Sequence, residues 1–259
     1  MDQSELALCI KELKMPLVLE YFAECSMTAG KEGWGFERFL YELLNIEREN
    51  RKERRIANLL RESKLPLSKT FDMLDRTRFP RSINQQIDAL IEGSFLGRCE
   101  NVLVFGNPGS GKSHTVCAIG HELIMQGQRV LFKNCEILVQ ELLIAKRDFM
   151  LPAFLKKLGR YKALIIDDIG YVQQNREEME VLFTLLADRY EKASTMITSN
   201  LAFSEWEKIF KDPMTTAAAI DRLVHHSMIL ELNLNSYRLE EAKKVKNPKE
   251  NIKEKNFEK

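Results

Sequence analysis

The 259-residue chain lacks most of what would commit it to secretion, to a membrane or to a polyanion-coating role. Its 39 Lys and Arg are matched by 38 Asp and Glu. The overall field therefore neither attracts nor repels a nucleic acid, and any such partner must be held by local patches. Cysteines are few: Cys9, Cys25, Cys99, Cys117 and Cys135 are widely spaced and form no C-x-x-C pair. That argues against a disulfide framework and fits reduced, buried thiols in a cytoplasmic protein. No apolar run approaches the ~18 residues of a membrane span, and Asp2, Glu5, Lys11 and Glu12 interrupt the only apolar stretch near the start. The expectation is a chain without a signal peptide and without a membrane partner.

What the chain does have is an eight-residue run, Gly106-Asn107-Pro108-Gly109-Ser110-Gly111-Lys112-Ser113, which completes G-x-x-x-x-G-K-[ST] between an apolar run and a helix-like stretch. Glycines let the backbone turn its N–H groups around phosphate oxygens. Lys112 brings positive charge to the outer phosphates, and the Ser113 hydroxyl suits a Mg²⁺ shell. The helix that follows points its positive end at the same anion. The glycine spacing G-x-x-G-x-G also excludes a dinucleotide fingerprint, which needs G-x-G-x-x-G.

The rhythm around this loop alternates. Short apolar runs at 101–105, 129–132, 163–166 and 194–198 are separated by helical patterns at 112–126, 136–148 and 176–192. A helix-like segment at 216–226 leads to a last β-like run at 228–232. Buried strands alternating with helices predict an α/β fold with a parallel sheet covered on both faces. Residues 1–65 read as a small all-α domain, with Leu6, Ile10 and Leu13 on one helix face and Phe36, Phe39, Leu40, Leu43, Leu44 and Ile46 on another. Residues 66–98 read as a linker bracketed by Pro66 and Pro80, then a helix opened by a Ser82/Gln85 capping box. The phosphate-loop domain is expected over 99–240, and the Lys/Glu-rich 241–259 as a disordered tail. Between Arg48 and Arg81 basic residues exceed acidic ones by six. Arg48, Arg51, Lys52, Arg54 and Arg55 form its densest part, either a solvated helix face or a contact for nucleic-acid backbone.

Chemistry is expected where strands end. Asp167 and Asp168 close the run Leu164-Ile165-Ile166, at the edge of the sheet that carries the phosphate loop. Asp167 would hold the Mg²⁺ shell and Asp168 would orient and deprotonate a water. Asn200 ends the next strand, either to reach the terminal phosphate or that water, or simply to form a turn. Arg222 precedes the last strand and could reach a neighbouring subunit's nucleotide as a charge-neutralising finger. Arg189 is a weaker candidate for the same interface, with surface ion pairing as its alternative. His114, Cys117 and His121 share one helix face but read as packing rather than as a zinc site.

Together, Gly106 to His114, Ile165 to Tyr171, Asp188-Arg189-Tyr190-Glu191, Thr198-Ser199-Asn200, Ile220 to His226 and Ser236-Tyr237-Arg238 resemble the IstB helper ATPases of bacterial insertion sequences. The match spans about residues 68–240. That family belongs to the AAA+ ATPases and is similar to DnaC-type helicase loaders. The resemblance implies a sheet in the order 5-1-4-3-2, ATP held by residues Gly106 to His114 and bound with Mg²⁺ between subunits, and Arg222 acting in trans. It further implies an ATP-dependent oligomer on duplex DNA of largely any sequence, handed to a transposase encoded nearby. A helicase loader would share the chemistry and differ in partner. Asp168 stands where most AAA+ proteins have Glu, as it commonly does in IstB-like sequences. The chain ends soon after Arg238, so no helical lid is expected and a nucleotide-sensing role for Arg238 is open.

Overall fold

The computed structural model describes residues 3–170, 176–201, 223–234, 236 and 237. Two compact units emerge, residues 1–58 and 59–259.

The first unit comprises α1 (Gln3–Glu12), α2 (Pro16–Glu32) and the greater part of α3 (Phe36–Ser63). Its core is small: Ile10, Val18 and Leu43 are buried, and Leu6, Phe22 and Phe39 pack against them. Leu13, expected on the buried face, lies past the end of α1 and is exposed, as are Phe36, Leu40 and Leu44. Gly33 ends α2 in a left-handed cap that returns an N–H to Ala29.

In the second unit α4 (Arg81–Ile91) and α5 (Ser94–Gly97) lead into β1 (Asn101–Gly106). There follow α6 (Lys112–Met125), β2 (Val130–Asn134), α7 (Cys135–Arg147), α8 (Leu151–Leu158), β3 (Ala163–Ile169), α9 (Arg176–Arg189), β4 (Ser194–Ser199) and β5 (Ser227–Leu232). All pairings are parallel and the order is β2-β3-β4-β1-β5, the expected 5-1-4-3-2 read from the other edge. Strands β1, β3 and β4 are almost wholly buried because helices cover both faces, hence the unbroken apolar runs of β1 and β3; β4 buries Ser and Thr around Met196 and Ile197. Leu103, Leu138, Leu142, Leu164, Leu182 and Leu185 centre the core on one side.

The expected capping box is absent. Helix α4 starts at Arg81, and Ser82 makes no cap bond. Asn84 does the fastening instead, donating to the carbonyls of Arg76 and Phe79. Helix α8 has no counterpart among the helical patterns of the sequence. Residues 216–222 of the anticipated helix and the tail 241–259 lie outside the described residues.

Candidate active site

The loop that leaves β1 turns directly into α6. Gly106, Gly109 and Gly111 carry it at φ +149°, +80° and +98°, angles that side-chain-bearing residues rarely adopt. Crowding reinforces the requirement: a Cβ on Gly106 would strike the carbonyl of Leu232 in β5, and one on Gly109 the side chain of Ser236. Lys112 is only 8% exposed. Its ammonium donates to the carbonyls of Gly106 at 2.8 Å and Asn107 at 2.9 Å, so the charge sits inside the ring its own loop makes. Asn107 and Pro108 form the exposed outer bend, Ser110 is buried, and Ser113 and His114 stand in the first turn of α6.

Strand β4 lies between β1 and β3, so Phe105, Ser199 and Ile169 end as neighbours. The β3–β4 register slips between Ile166 and Ile169, which makes Asp167-Asp168 a bulge. Asp168 takes φ +68° there, a left-handed conformation costing about 1 kcal/mol or more. The buried Thr198 hydroxyl holds both residues: it accepts the Asp168 N–H at 2.8 Å and donates to Asp167 Oδ1 at 2.6 Å. Asp167 is thereby fixed at 9% exposure. Thr198 has no part in the residue roles assigned from sequence. Its only signal there is a hydroxyl two residues before Asn200, on the strand beside the carboxylates. Ser199 ties the same end together by donating to the Ile169 carbonyl and accepting the Leu201 N–H.

The segment read as a linker is part of the site. Residues 66–80 form two short 3₁₀ turns, Phe71–Met73 and Arg76–Arg78, and the buried Phe79 follows. A cavity of about 160 Å³ opens between Met73, Leu74 and Phe79 on one side and residues 109–114 on the other. Tyr237 also lines it, with its N–H on the Gly109 carbonyl at 3.0 Å and its ring 5.1 Å from the Arg78 guanidinium carbon. His114 does not aim at the loop's interior: its Nε2 lies 2.8 Å from the Thr70 carbonyl. His121 reaches the Pro66 carbonyl at 3.1 Å. Both histidine rings thus pack on residues 66–70. Cys117 between them is fully buried, and burial pushes its thiol up to about 12 against the opposing pull of Lys69. No metal-binding cluster occurs among the described residues.

Arg189 is a correction. It is 2% exposed and lies at the opposite, amino edge of the sheet. Its guanidinium donates to the carbonyls of Leu158, Tyr161 and Ser194 and to the Thr195 hydroxyl. Burial lowers it to about 10, with Asp188 opposing. At that burial it is not offered to a second subunit and makes no surface ion pair, because two stretches of chain, 158–161 and 194–195, turn carbonyls toward it that need a donor. Arg222 and Arg238 lie outside the described residues. In the first unit Arg51 is engaged by Glu47 and the Lys14 carbonyl, and Arg48 by Asn45 and Glu49. Lys52, Arg54 and Arg55 are exposed along α3.

These residues fit a nucleoside triphosphate with Mg²⁺. Ser110 Oγ and Asn200 Oδ1 are buried without a hydrogen-bond partner at the loop and the adjoining strand end, where phosphate oxygens and water would meet them.

Comparison with known proteins gives the family and the fold. Residues 8–245 match the family described as IstB-like ATP binding protein. A Sinorhizobium fredii protein named as an insertion sequence ATP-binding protein is 40% identical over 246 residues, covering 95% of this chain and 83% of its own length. Among solved structures, the DnaC helicase loader superposes with a TM-score of 0.55 at 18% identity, over 64% of this chain and 97% of its own. AMPPCP-bound DnaA from Aquifex aeolicus gives 0.54 at 16%, over 67% and 52%. The likeness to these two shows the AAA+ fold. With the family match spanning nearly its whole length, the chain belongs to the IstB-like ATP-binding proteins of insertion sequences.

Proposed function

We propose that the protein is an ATPase that assembles on duplex DNA when ATP is bound, recruits or stimulates a transposase, and disassembles on hydrolysis. The observation that carries the chemistry is the convergence of three adjacent strand ends: the glycine loop with its internal Lys112, the Thr198-locked Asp167-Asp168 bulge, and the buried, unpartnered Asn200 carbonyl oxygen. The relatives' names supply the setting, an insertion sequence.

The chain's own groups divide the work. Loop N–H groups and Lys112 bind the phosphates, Lys112 by exchanging two carbonyl partners for phosphate oxygens. The Ser113 hydroxyl and Asp167 would hold Mg²⁺, which when bound neutralises phosphate charge. Thr198 keeps Asp167 turned to that task. Asp168 takes a proton from the attacking water, and Asn200 accepts a hydrogen bond from the same water and orients it. Asp168 is one methylene shorter than the usual Glu, so turnover is slow and rises with DNA or partner. Arg222 of a second subunit completes the charge neutralisation. Lys52, Arg54 and Arg55, with Arg48, supply backbone contacts to DNA whose affinity falls steeply with salt.

Electron microscopy of the protein with duplex DNA, with and without ATP, tests the reading. A ring or filament around DNA that forms only with ATP is expected. Identical particles in both conditions, or none on DNA, would reject nucleotide-controlled assembly.

A further inference from the structure

A strap runs from Pro66 to Phe79 and walls the cavity opposite the phosphate loop. It lies against α6 in a defined direction. His121 meets Pro66 and His114 meets Thr70, so the chain ascends from residue 66 to 70 as α6 descends from 121 to 114, toward its phosphate-binding end. The two histidines stand seven residues apart, two turns or about 10 Å along one helix face. Between them Gly120 leaves room for Leu65, whose methyl a Cβ would meet at 3.2 Å. Farther on, Phe79 and Leu74 reach the loop itself, 3.7 and 4.0 Å from where a Cβ on Gly111 would stand. Because a carbonyl oxygen only accepts, each imidazole must carry its proton on Nε2, and neither Nε2 remains for a phosphate oxygen.

We propose that His114, reinforced by His121, is a positioning residue that seats this strap, and that the strap is what lets the site distinguish a whole nucleotide from a bare phosphate chain. The inference rests on the nucleotide reading of the loop. Phosphates bind the loop and Lys112 whether or not the strap is docked. The base, which lies beyond the phosphates in the apolar half of the cavity, finds Leu74 and Phe79 only when the strap is held. His114 therefore contributes to affinity through the base and not through phosphate.

The test measures affinity for ATP and for inorganic triphosphate in wild type, His114→Ala, His114→Gln and His114→Asn. Glutamine places an amide N–H where Nε2 stands; asparagine places it one atom short. His114→Ala should bind ATP about tenfold more weakly, the effect of one lost hydrogen bond, and inorganic triphosphate as before. His114→Gln should restore ATP binding and His114→Asn should not. Without ligand, amide exchange over residues 71–79 should quicken in the Ala variant and recover in the Gln variant. Equal loss of both ligands would mean that the imidazole touches phosphate, and loss of neither that the strap needs no such tie; either overturns the proposal. A wild-type protein that binds inorganic triphosphate but gains nothing from the base also overturns it while leaving the loop intact. Failure to bind either ligand would remove the nucleotide reading itself.

Discussion

The two edges of the sheet each bury a cation and treat it in opposite ways. At the amino edge, Arg189 donates to three backbone carbonyls and the Thr195 hydroxyl, all supplied by fixed parts of the fold. At the carboxyl edge, Lys112 rests on two carbonyls of its own glycine loop. Ser110 Oγ and Asn200 Oδ1 nearby are buried with no partner, and so is Ser194 Oγ at the amino edge, so orphaned oxygens by themselves do not tell the edges apart. A buried charge whose acceptors belong to rigid stretches of chain other than its own turn serves the fold. One whose acceptors are exchangeable for an incoming anion serves a ligand. Burial alone does not separate the two, since Arg189 and Lys112 are 2% and 8% exposed; the ownership of the partners does.

Substitutions should pull the edges apart. Asp168→Asn is expected to slow ATP turnover about a thousandfold, with ATP affinity and melting temperature kept; unchanged turnover would move the base elsewhere. Arg189→Leu leaves its acceptors unpaired and should cost about 3 kcal/mol of stability by denaturant titration. If the same change weakened ATP binding in the folded protein, the edges would not be separable. Thr198→Val should lower turnover about tenfold through loss of the bond that orients Asp167, and Thr198→Ser should recover it. Equal defects in both would make the threonine a packing residue only.

The smallest effect concerns Cys117. Its folded thiol titrates near 12 against an ordinary 9.0 because it is desolvated. The unfolded chain therefore releases the proton first. The stability this group contributes is whole below about pH 9 and declines as pH climbs toward 12. Denaturation midpoints compared on either side of pH 9 should fall less in Cys117→Ala than in wild type.

Much of this was legible from residues alone. The five strands and the helices 112–125, 135–147 and 176–189 follow from apolar runs and helical periodicity, and strand order follows from family resemblance. The glycine loop and Asp167-Asp168 are visible because their chemistry demands contiguous residues. What stayed hidden depends on partners distant in sequence. Residues 66–80 have no period, since they are tied by imidazoles reaching backbone carbonyls, and their apolar residues Leu67, Phe71, Met73, Leu74 and Phe79 sustain neither a helical nor a strand spacing. Arg189 looks like a surface residue until two stretches of chain, 158–161 and 194–195, bring three carbonyls to it. Thr198 looks like one more β-branched strand residue until the bulge places Asp168 across from it. Helix α8, at eight residues, is too short for periodicity to declare.

Titration of ATP into wild-type and Lys112→Ala protein tests the central assignment most directly. The account predicts at least a hundredfold weaker binding in the variant, about 2.7 kcal/mol, with thermal stability held because the ammonium's carbonyl partners lie in the loop and not in the core. ATP affinity equal in the two proteins would contradict it.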